Sequence, residues 1–155
     1  MEGRTKPFAL ETVLGYRKRL ENLARQRMFQ AQKECIAVAT RLTEEETRMS
    51  HLLHETEKMQ IEGIQITDLI FREELLLSLQ DNLKAIRRKL EEKEALVNQM
   101  RQDLLKRSKE RQIMEKLKDE QNKSWRMYLD KKEASMLDEI AVIRHDARDR
   151  DKREE

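Results

Sequence analysis

Apolar side chains in the first half of the chain recur in alternating steps of three and four residues. Polar residues interrupt the series at four positions; its full set is Leu10, Leu14, Arg17, Glu21, Ala24, Met28, Ala31, Cys35, Val38, Leu42, Glu45, Met49, Leu52, Thr56 and Met59. This spacing keeps one stripe of a helix facing a partner helix. Pro7 suits the start of that helix, where a missing N–H costs little. The pattern therefore predicts a long first helix.

The clearest interruption of the pattern lies between the two halves of the chain. Gly63 can adopt the left-handed conformation that ends a helix, and Thr67 or Asp68 can cap the next one. We therefore predict a tight reversal here; the alternative is one continuous helix in a parallel dimer, in which Gly63 is merely tolerated. The predicted elements of this single domain, 1–155, are a helix over about 8–62, a turn over about 63–68, a helix over about 69–148 and a frayed tail over 149–155.

The second half carries a stripe of its own. Its positions are Leu76, Leu79, Leu83, Ile86, Leu90, Lys93, Val97, Met100, Leu104, Arg107, Arg111 and Met114. Folding the chain back near Ile66 sets Met49 by Leu83 and Glu45 near Arg87. A polar interruption of one stripe then meets opposite charge, as a specific hairpin register requires.

These patterns predict an all-α fold, a long antiparallel two-helix coiled-coil hairpin with an overhanging carboxyl-terminal helix. In this register the first helix, which begins near residue 8, ends its pairing opposite roughly residue 124. Residues after 124 should therefore have no partner in the first helix. The apolar spacing nevertheless continues through Trp125, Leu129, Met136, Ile140 and Ile143, with Tyr128 and Leu137 beside it. A helix that keeps an apolar stripe without an internal partner is usually a binding surface.

A second candidate surface follows the turn. Phe71, Leu75, Ser78 and Asn82 are spaced by four, three and four residues, which places them on one helix face. The leucines at 76, 79 and 83 occupy the inner face, so we expect this second face to point outward. The residues alone leave open whether it binds a partner or merely caps the end of the hairpin.

Composition supports long helices and argues against several classes of function. Charged residues make up 41% of the chain, with three glycines and one proline, which is typical of coiled coils. The 33 basic and 31 acidic residues are interleaved, whereas a nucleic-acid-binding face needs clustered Lys and Arg. The most apolar region, 61–79, is broken by charges and cannot span a membrane. The single cysteine, Cys35, suits a reducing compartment, and we expect a cytosolic protein.

Catalysis finds no support in the sequence. The glycines are isolated and form no phosphate-binding loop, and the carboxylates lie on predicted solvated faces, where little shifts a pKa. His51 and His54 could share a metal ion, but without a further ligand the site is incomplete. Cys35 reads as a core residue. We therefore expect no enzyme, no catalytic residue, no cofactor and no metal site.

Three stretches of the sequence carry a family resemblance. They are LETVLGYRKRLENLA in the first helix, LQDNLKAIRRKLEEKEALVNQMRQDLLKRSKERQIMEKLKDEQ after the break, and the ending LDEIAVIR. With them the whole chain resembles the FliJ family of bacterial flagellar type III export proteins, most specifically in its carboxyl half. The chain departs from the family pattern at Trp125 and at Ala134-Ser135-Met136.

The resemblance implies an antiparallel coiled coil similar to the stalk of the rotary ATPase gamma subunit. Its implied partners are the flagellar export ATPase hexamer, the export gate membrane protein and export chaperones, with neither nucleic acid nor direct membrane insertion. The ATPase ring would be contacted by Trp125, Tyr128, Leu129, Met136, Leu137, Ile140 and Arg144. The export gate would be contacted by Phe71, Leu75, Ser78 and Asn82. The implied location is the cytoplasm, peripheral to the inner face of the cell membrane at the flagellar base.

Two other functions fit the same residues. One is the stalk protein of a virulence type III secretion system, which is similar in shape and role. The other is a generic structural coiled coil that dimerises through both halves. The generic coiled coil would be a continuous helix in a dimer, whereas the flagellar and virulence proteins would be hairpins. The presence or absence of a hairpin therefore distinguishes the generic coiled coil from the other two.

Overall fold

The structure is a computed structural model that describes the backbone of residues 7–151 and the side chains of residues 7–145. In this part of the chain there are two α-helices, α1 (Glu11–Glu62) and α2 (Ile66–Asp151), and no strand. The two helices pack against each other in antiparallel order, so the predicted all-α hairpin is confirmed. The last part of the predicted tail, residues 152–155, lies outside the described residues.

Helix α1 starts at Glu11, slightly later than the predicted residue 8. The Glu11 N–H donates to the Phe8 carbonyl at 3.1 Å, and the first four-residue bond runs from the Leu14 N–H to the Leu10 carbonyl at 2.9 Å. The three-residue bond closes a turn rather than a helical repeat. Pro7 therefore precedes this turn and does not occupy the first helical position.

The reversal between the helices is shorter than predicted. Gly63 has a φ of 100°, a backbone conformation that side-chain-bearing residues rarely adopt. Helix α2 begins at Ile66, and the Gln65 carbonyl accepts the first bond, from the Asp68 N–H at 3.1 Å. Neither Thr67 nor Asp68 is therefore the cap, because both already lie in the first helical turn. The negative charge of the Asp68 carboxylate in this first turn interacts favourably with the positive end of the helix dipole.

The chain divides into two compact units, which we describe separately. The turn unit is Leu20–Arg107 and contains the reversal. The terminal unit combines Met1–Arg19 with Ser108–Glu155. In both units a segment of α1 packs against a segment of α2. No helical stretch among the described residues combines enough length with enough apolar character to span a membrane.

The core of the turn unit follows the two predicted stripes. Every predicted position from Glu21 to Thr56 and from Leu76 to Arg107 is buried or half-buried, whereas Met59, at the end of the first stripe, is exposed. The buried apolar side chains are those of Ala24, Ala31, Leu79, Leu83 and Ile86. The buried apolar side chains on α1 in this unit are alanines, and those on α2 are larger aliphatic residues that lie nearer the turn in sequence.

Ion pairs link the two helices of the turn unit, and one of them differs from the prediction. The Arg87 guanidinium lies 2.9 Å from the Glu46 carboxylate, not beside Glu45. Both partners of that pair are largely exposed, so neither loses its hydration. Glu45 lies in the stripe with its Oε2 buried and without a hydrogen-bond partner, and its Oε1 is 3.6 Å from Arg48.

A second cross-helix pair joins Lys93 to Glu34. The Lys93 Nζ donates to the Glu34 carboxylate at 2.6 Å, and the Gln30 amide donates to its other oxygen at 3.0 Å. The hydrogen bond from Lys93 lowers the pKa of Glu34 below its usual 4.5, with smaller contributions from Gln30 and from the lysine charge. Lys93, a polar interruption of the second stripe, thus meets opposite charge across the hairpin.

The terminal unit is held by one buried leucine and by polar contacts around it. Leu14 is 1% exposed. The polar contacts between its two helical segments pair Arg17 with Glu110 at 2.7 Å, Lys118 with Glu11 at 2.7 Å, and Gln121 Nε2 with the Pro7 carbonyl at 3.2 Å. The α1 residue numbers fall as the α2 numbers rise, so this unit is antiparallel too.

Candidate interaction surfaces

The carboxyl-terminal part of α2 changes from half-buried to exposed after Leu129. Trp125 and Leu129 are half-buried, although the sequence predicted that no part of the first arm covers α2 from Trp125 onward. The Trp125 ring stacks on Tyr128 with centroids 5.4 Å apart and an interplanar angle of 22°. This stacking covers part of the indole from within α2. Every side chain from 130 to 145 is exposed.

The apolar stripe continues beyond the point where burial stops. Met136, Ile140 and Ile143 follow Leu129 at steps of seven, four and three, so they share one helix face. Met136 is 56% exposed, Ile140 44% and Ile143 67%. We call Leu129, Met136, Ile140 and Ile143 the carboxyl-terminal stripe. Exposed apolar side chains in such a row are typical of a surface that binds another protein.

Other predicted residues lie beside this stripe. Tyr128, Leu137 and Arg144 are exposed on its flanks. Met127 and Val142 are also largely exposed, but the heptad pattern does not predict them because neither falls on its spacing. Between 125 and 144 there are four basic and four acidic side chains. With no net charge here, apolar contact rather than charge would select a partner.

The second predicted surface lies on α2 just after the turn. Phe71 is 67% exposed and Leu75 41% exposed, so both point outward as expected. Ser78 is also exposed, whereas Asn82 is half-buried against the hairpin. The structure thus brings an aromatic and an aliphatic side chain together on one accessible face. Asn82 contributes only part of its side chain to that face.

A groove of about 470 Å³ adjoins Leu75. Its lining comes from both helices and comprises Arg48, His51, Leu52, Glu55, Leu75 and Leu79. The second surface was predicted on α2 alone, so the α1 side of this groove was not predicted. The predicted pairing of the stripes already indicated this α1 side, because it sets residues near 52 opposite residues near 79.

Polar contacts fix the wall of this groove. Arg72 reaches across from α2 to Glu55 at 3.9 Å and to the Thr56 hydroxyl at 3.4 Å. His51 lies 3.5 Å from the same Glu55 carboxylate. The described residues contain no group of three His, Cys, Asp or Glu side chains with the geometry of a metal site. His51 therefore contacts the Glu55 carboxylate within the turn unit, and His54 is exposed.

Comparison with known proteins gives one match. The family model described as "Flagellar FliJ protein" matches residues 5–150. No curated protein and no solved structure matched the chain. The matched range includes both surfaces described above and the turn between α1 and α2. The chain therefore belongs to the FliJ family, a non-catalytic component of the flagellar export apparatus.

Proposed function

We propose that this protein is a non-enzymatic stalk of flagellar type III export, which contacts the export ATPase ring with one surface and the membrane export gate with another. The observation that carries this proposal is the exposed apolar stripe that continues along α2 after its burial ends. Family membership supports the flagellar system over a virulence secretion system. The antiparallel hairpin argues against a structural protein made of one continuous helix.

The proposed ATPase contact is centred on the carboxyl-terminal stripe. The residues proposed for this contact, on the stripe and beside it, are Trp125, Tyr128, Leu129, Met136, Leu137, Ile140 and Arg144. The half-buried Trp125 and Leu129 would anchor the beginning of the contact, and the exposed residues beyond them would supply most of the buried area. A few apolar anchors suffice, because a minority of interface residues carries most of the binding energy.

The proposed gate contact is centred on Phe71 and Leu75. Both are exposed and apolar, and the groove beside Leu75 offers space for a side chain of the partner. Ser78 and Asn82 would contribute polar contacts at the edge. Since the two proposed contacts lie in different units of the chain, both partners can be bound without competing for the same residues.

Such a stalk couples two partners by binding alone and requires no cofactor. We propose that it works in the cytoplasm at the flagellar base, peripheral to the membrane, where it also assists export chaperones and their substrates. The balance of interleaved basic and acidic residues supports protein partners rather than nucleic acid.

A pair of double variants tests both contacts in one experiment. Phe71→Ala with Leu75→Ala should weaken binding to the purified cytoplasmic domain of the gate by ~10-fold or more, and leave binding to the ATPase unchanged. Met136→Ala with Ile140→Ala should do the reverse. Each double variant is the control for the other, and circular dichroism checks that both remain helical.

Titrations of each variant against each partner give four affinities. Wild-type gate affinity in the first variant would refute the gate contact, and wild-type ATPase affinity in the second would refute the ATPase contact. Equal losses of both partners in both variants would point to a change in the fold and would contradict the separate surfaces.

A further inference from the structure

The first turns of α2 carry a second exposed apolar face, which the proposed function does not use. We call Ile66, Ile70 and Leu77 the outer turn face; they are 67%, 50% and 62% exposed. At ~100° per residue they point within ~40° of one another, and on average roughly 140° away from Phe71 and Leu75. Ile61, in the last turn of α1 and 88% exposed, lies just across the reversal.

This end of the turn unit is strongly acidic, although the whole chain has a formal charge of +2. Residues 55–77 contain six carboxylates and two basic side chains, a formal charge of −4. Within the described residues only one of those carboxylates, Glu55, has an ion-pair partner among the Lys and Arg side chains, namely Arg72 at 3.9 Å. Glu73 and Glu74 are exposed beside Ile70 and form no ion pair with any described residue.

We infer that the outer turn face binds a basic amphipathic helix of a partner protein. An apolar row with steps of four and seven residues matches the anchors of a helix laid along it. Lys and Arg on the edges of that helix would pair with the unpaired carboxylates, including Glu73 and Glu74, which supplies specificity and speeds association. Leu77 would mark the end of the contact, since Asp81 follows one turn later.

Charge decides against two other occupants of this face. A second copy of the chain would bring one acidic end against another, and like charges across an interface are repulsive. A membrane surface that contains anionic lipid attracts basic segments and repels acidic ones. The inference does not depend on the proposed contacts of Phe71 and Leu75, because it concerns a different face of α2.

Fluorescence anisotropy with a designed probe tests the inference on the full chain. The probe is a labelled amphipathic helix of leucine and lysine, about 18 residues or ~27 Å long; its counterpart carries glutamate in place of lysine. We expect the lysine helix to bind and the glutamate helix not to bind. Ile70→Ala with Leu77→Ala should weaken binding of the lysine helix ~10-fold.

A matched control exists on α1 of the same unit. Phe29 and Ile36 are 69% and 66% exposed, so Phe29→Ala with Ile36→Ala removes a comparable exposed apolar pair away from the turn. This control should keep its affinity for the lysine helix. An equal loss in both double variants, or no loss in either, would overturn the inference.

The carboxylates have their own matched pair. Glu73→Gln with Glu74→Gln should weaken the lysine helix and flatten the dependence of its affinity on salt, because salt screens such charge pairs. Glu91→Gln with Glu92→Gln removes an exposed glutamate pair elsewhere on α2 and should change neither. Equal effects of the two pairs would mean unspecific attraction and would contradict a site at the turn.

The remaining outcomes separate this inference from other readings. If the chain sediments with anionic vesicles and the double variant does not, the face binds a membrane surface and the inference is overturned. If the chain self-associates and the double variant does not, the face binds a second copy and the inference is likewise overturned. Gate and ATPase affinities of the variant should stay at the wild-type level, so a failure here is distinguishable from a failure of the proposed function.

Discussion

Glu45 is the residue whose replacement should most clearly stabilise the hairpin. It occupies a stripe position of α1, its side chain is 17% exposed, and its buried Oε2 has no hydrogen-bond partner. Its Oε1 lies 3.6 Å from Arg48, whose side chain is 71% exposed. Glu45→Leu replaces this carboxylate with an apolar side chain of similar size, which packs at such a position as leucine does in coiled coils.

The size of the gain follows from these contacts. A buried polar group without a partner costs about 1–3 kcal/mol. The exposed pair with Arg48 returns at most ~1 kcal/mol, and leucine and glutamate have similar helix propensities. Burial of the leucine methyl groups offsets the loss of that pair, so we expect Glu45→Leu to raise the free energy of unfolding by about 1–3 kcal/mol. For a chain of this length the melting temperature should rise by roughly 2–10 °C.

The neighbouring residue provides the control. Glu46 is exposed and pairs with Arg87 at 2.9 Å, so Glu46→Leu should change stability by no more than ~1 kcal/mol and in the unfavourable direction. Thermal and urea melts followed by circular dichroism measure both variants, and sedimentation at several concentrations confirms an unchanged oligomeric state. A loss of stability in Glu45→Leu, or a gain of similar size in Glu46→Leu, would refute the reasoning.

Two further predictions concern the turn and a cross-helix pair. Gly63→Ala should lower stability by about 1–2 kcal/mol, because the φ of Gly63 is 100°. Steric contact does not contribute, since no atom lies within 4 Å of the added methyl group. The control is Gly15→Ala inside α1, where the space is equally open and stability should rise by about 0.5–1 kcal/mol. Melts in which both changes have the same sign would contradict this. Because its folded pKa is lowered, Glu34 contributes stability above its usual pKa of 4.5 that is lost as the pH falls towards the lowered value. In Lys93→Met the pKa of Glu34 should rise towards 4.5, which a carboxyl NMR titration measures. An unchanged pKa would show that Lys93 is not the cause of the lowered value.

The positions that face the partner helix were predictable from the sequence. All predicted stripe positions from Glu21 to Thr56 and from Leu76 to Arg107 are buried or half-buried. Burial follows heptad spacing because the helix repeat is a local property of the backbone. The reversal at Gly63 was predictable for a similar reason, since its positive φ is a local requirement that glycine meets.

The candidate surfaces were only partly predictable. The spacing of Phe71 and Leu75 placed both on one face, and the family resemblance indicated a partner for it. The α1 side of the neighbouring groove and the outer turn face were missed, because heptad analysis follows the inner stripe and ignores the other faces of a helix. Their detection needed the exposure of side chains such as Ile70 and Leu77.

The sequence by itself determined two long helices, the place where the chain turns back and the stripe that each helix buries. The tertiary structure decided which carboxylate pairs with Arg87, because residues 45 and 46 are neighbours in sequence but point ~100° apart on the helix. Arg87 pairs with the exposed Glu46, where both groups keep their water, and this leaves Glu45 in the stripe with an unsatisfied oxygen. The structure likewise decided that burial continues past Trp125 to Leu129, since the packing of neighbouring side chains, not spacing, determines how far a helix is covered.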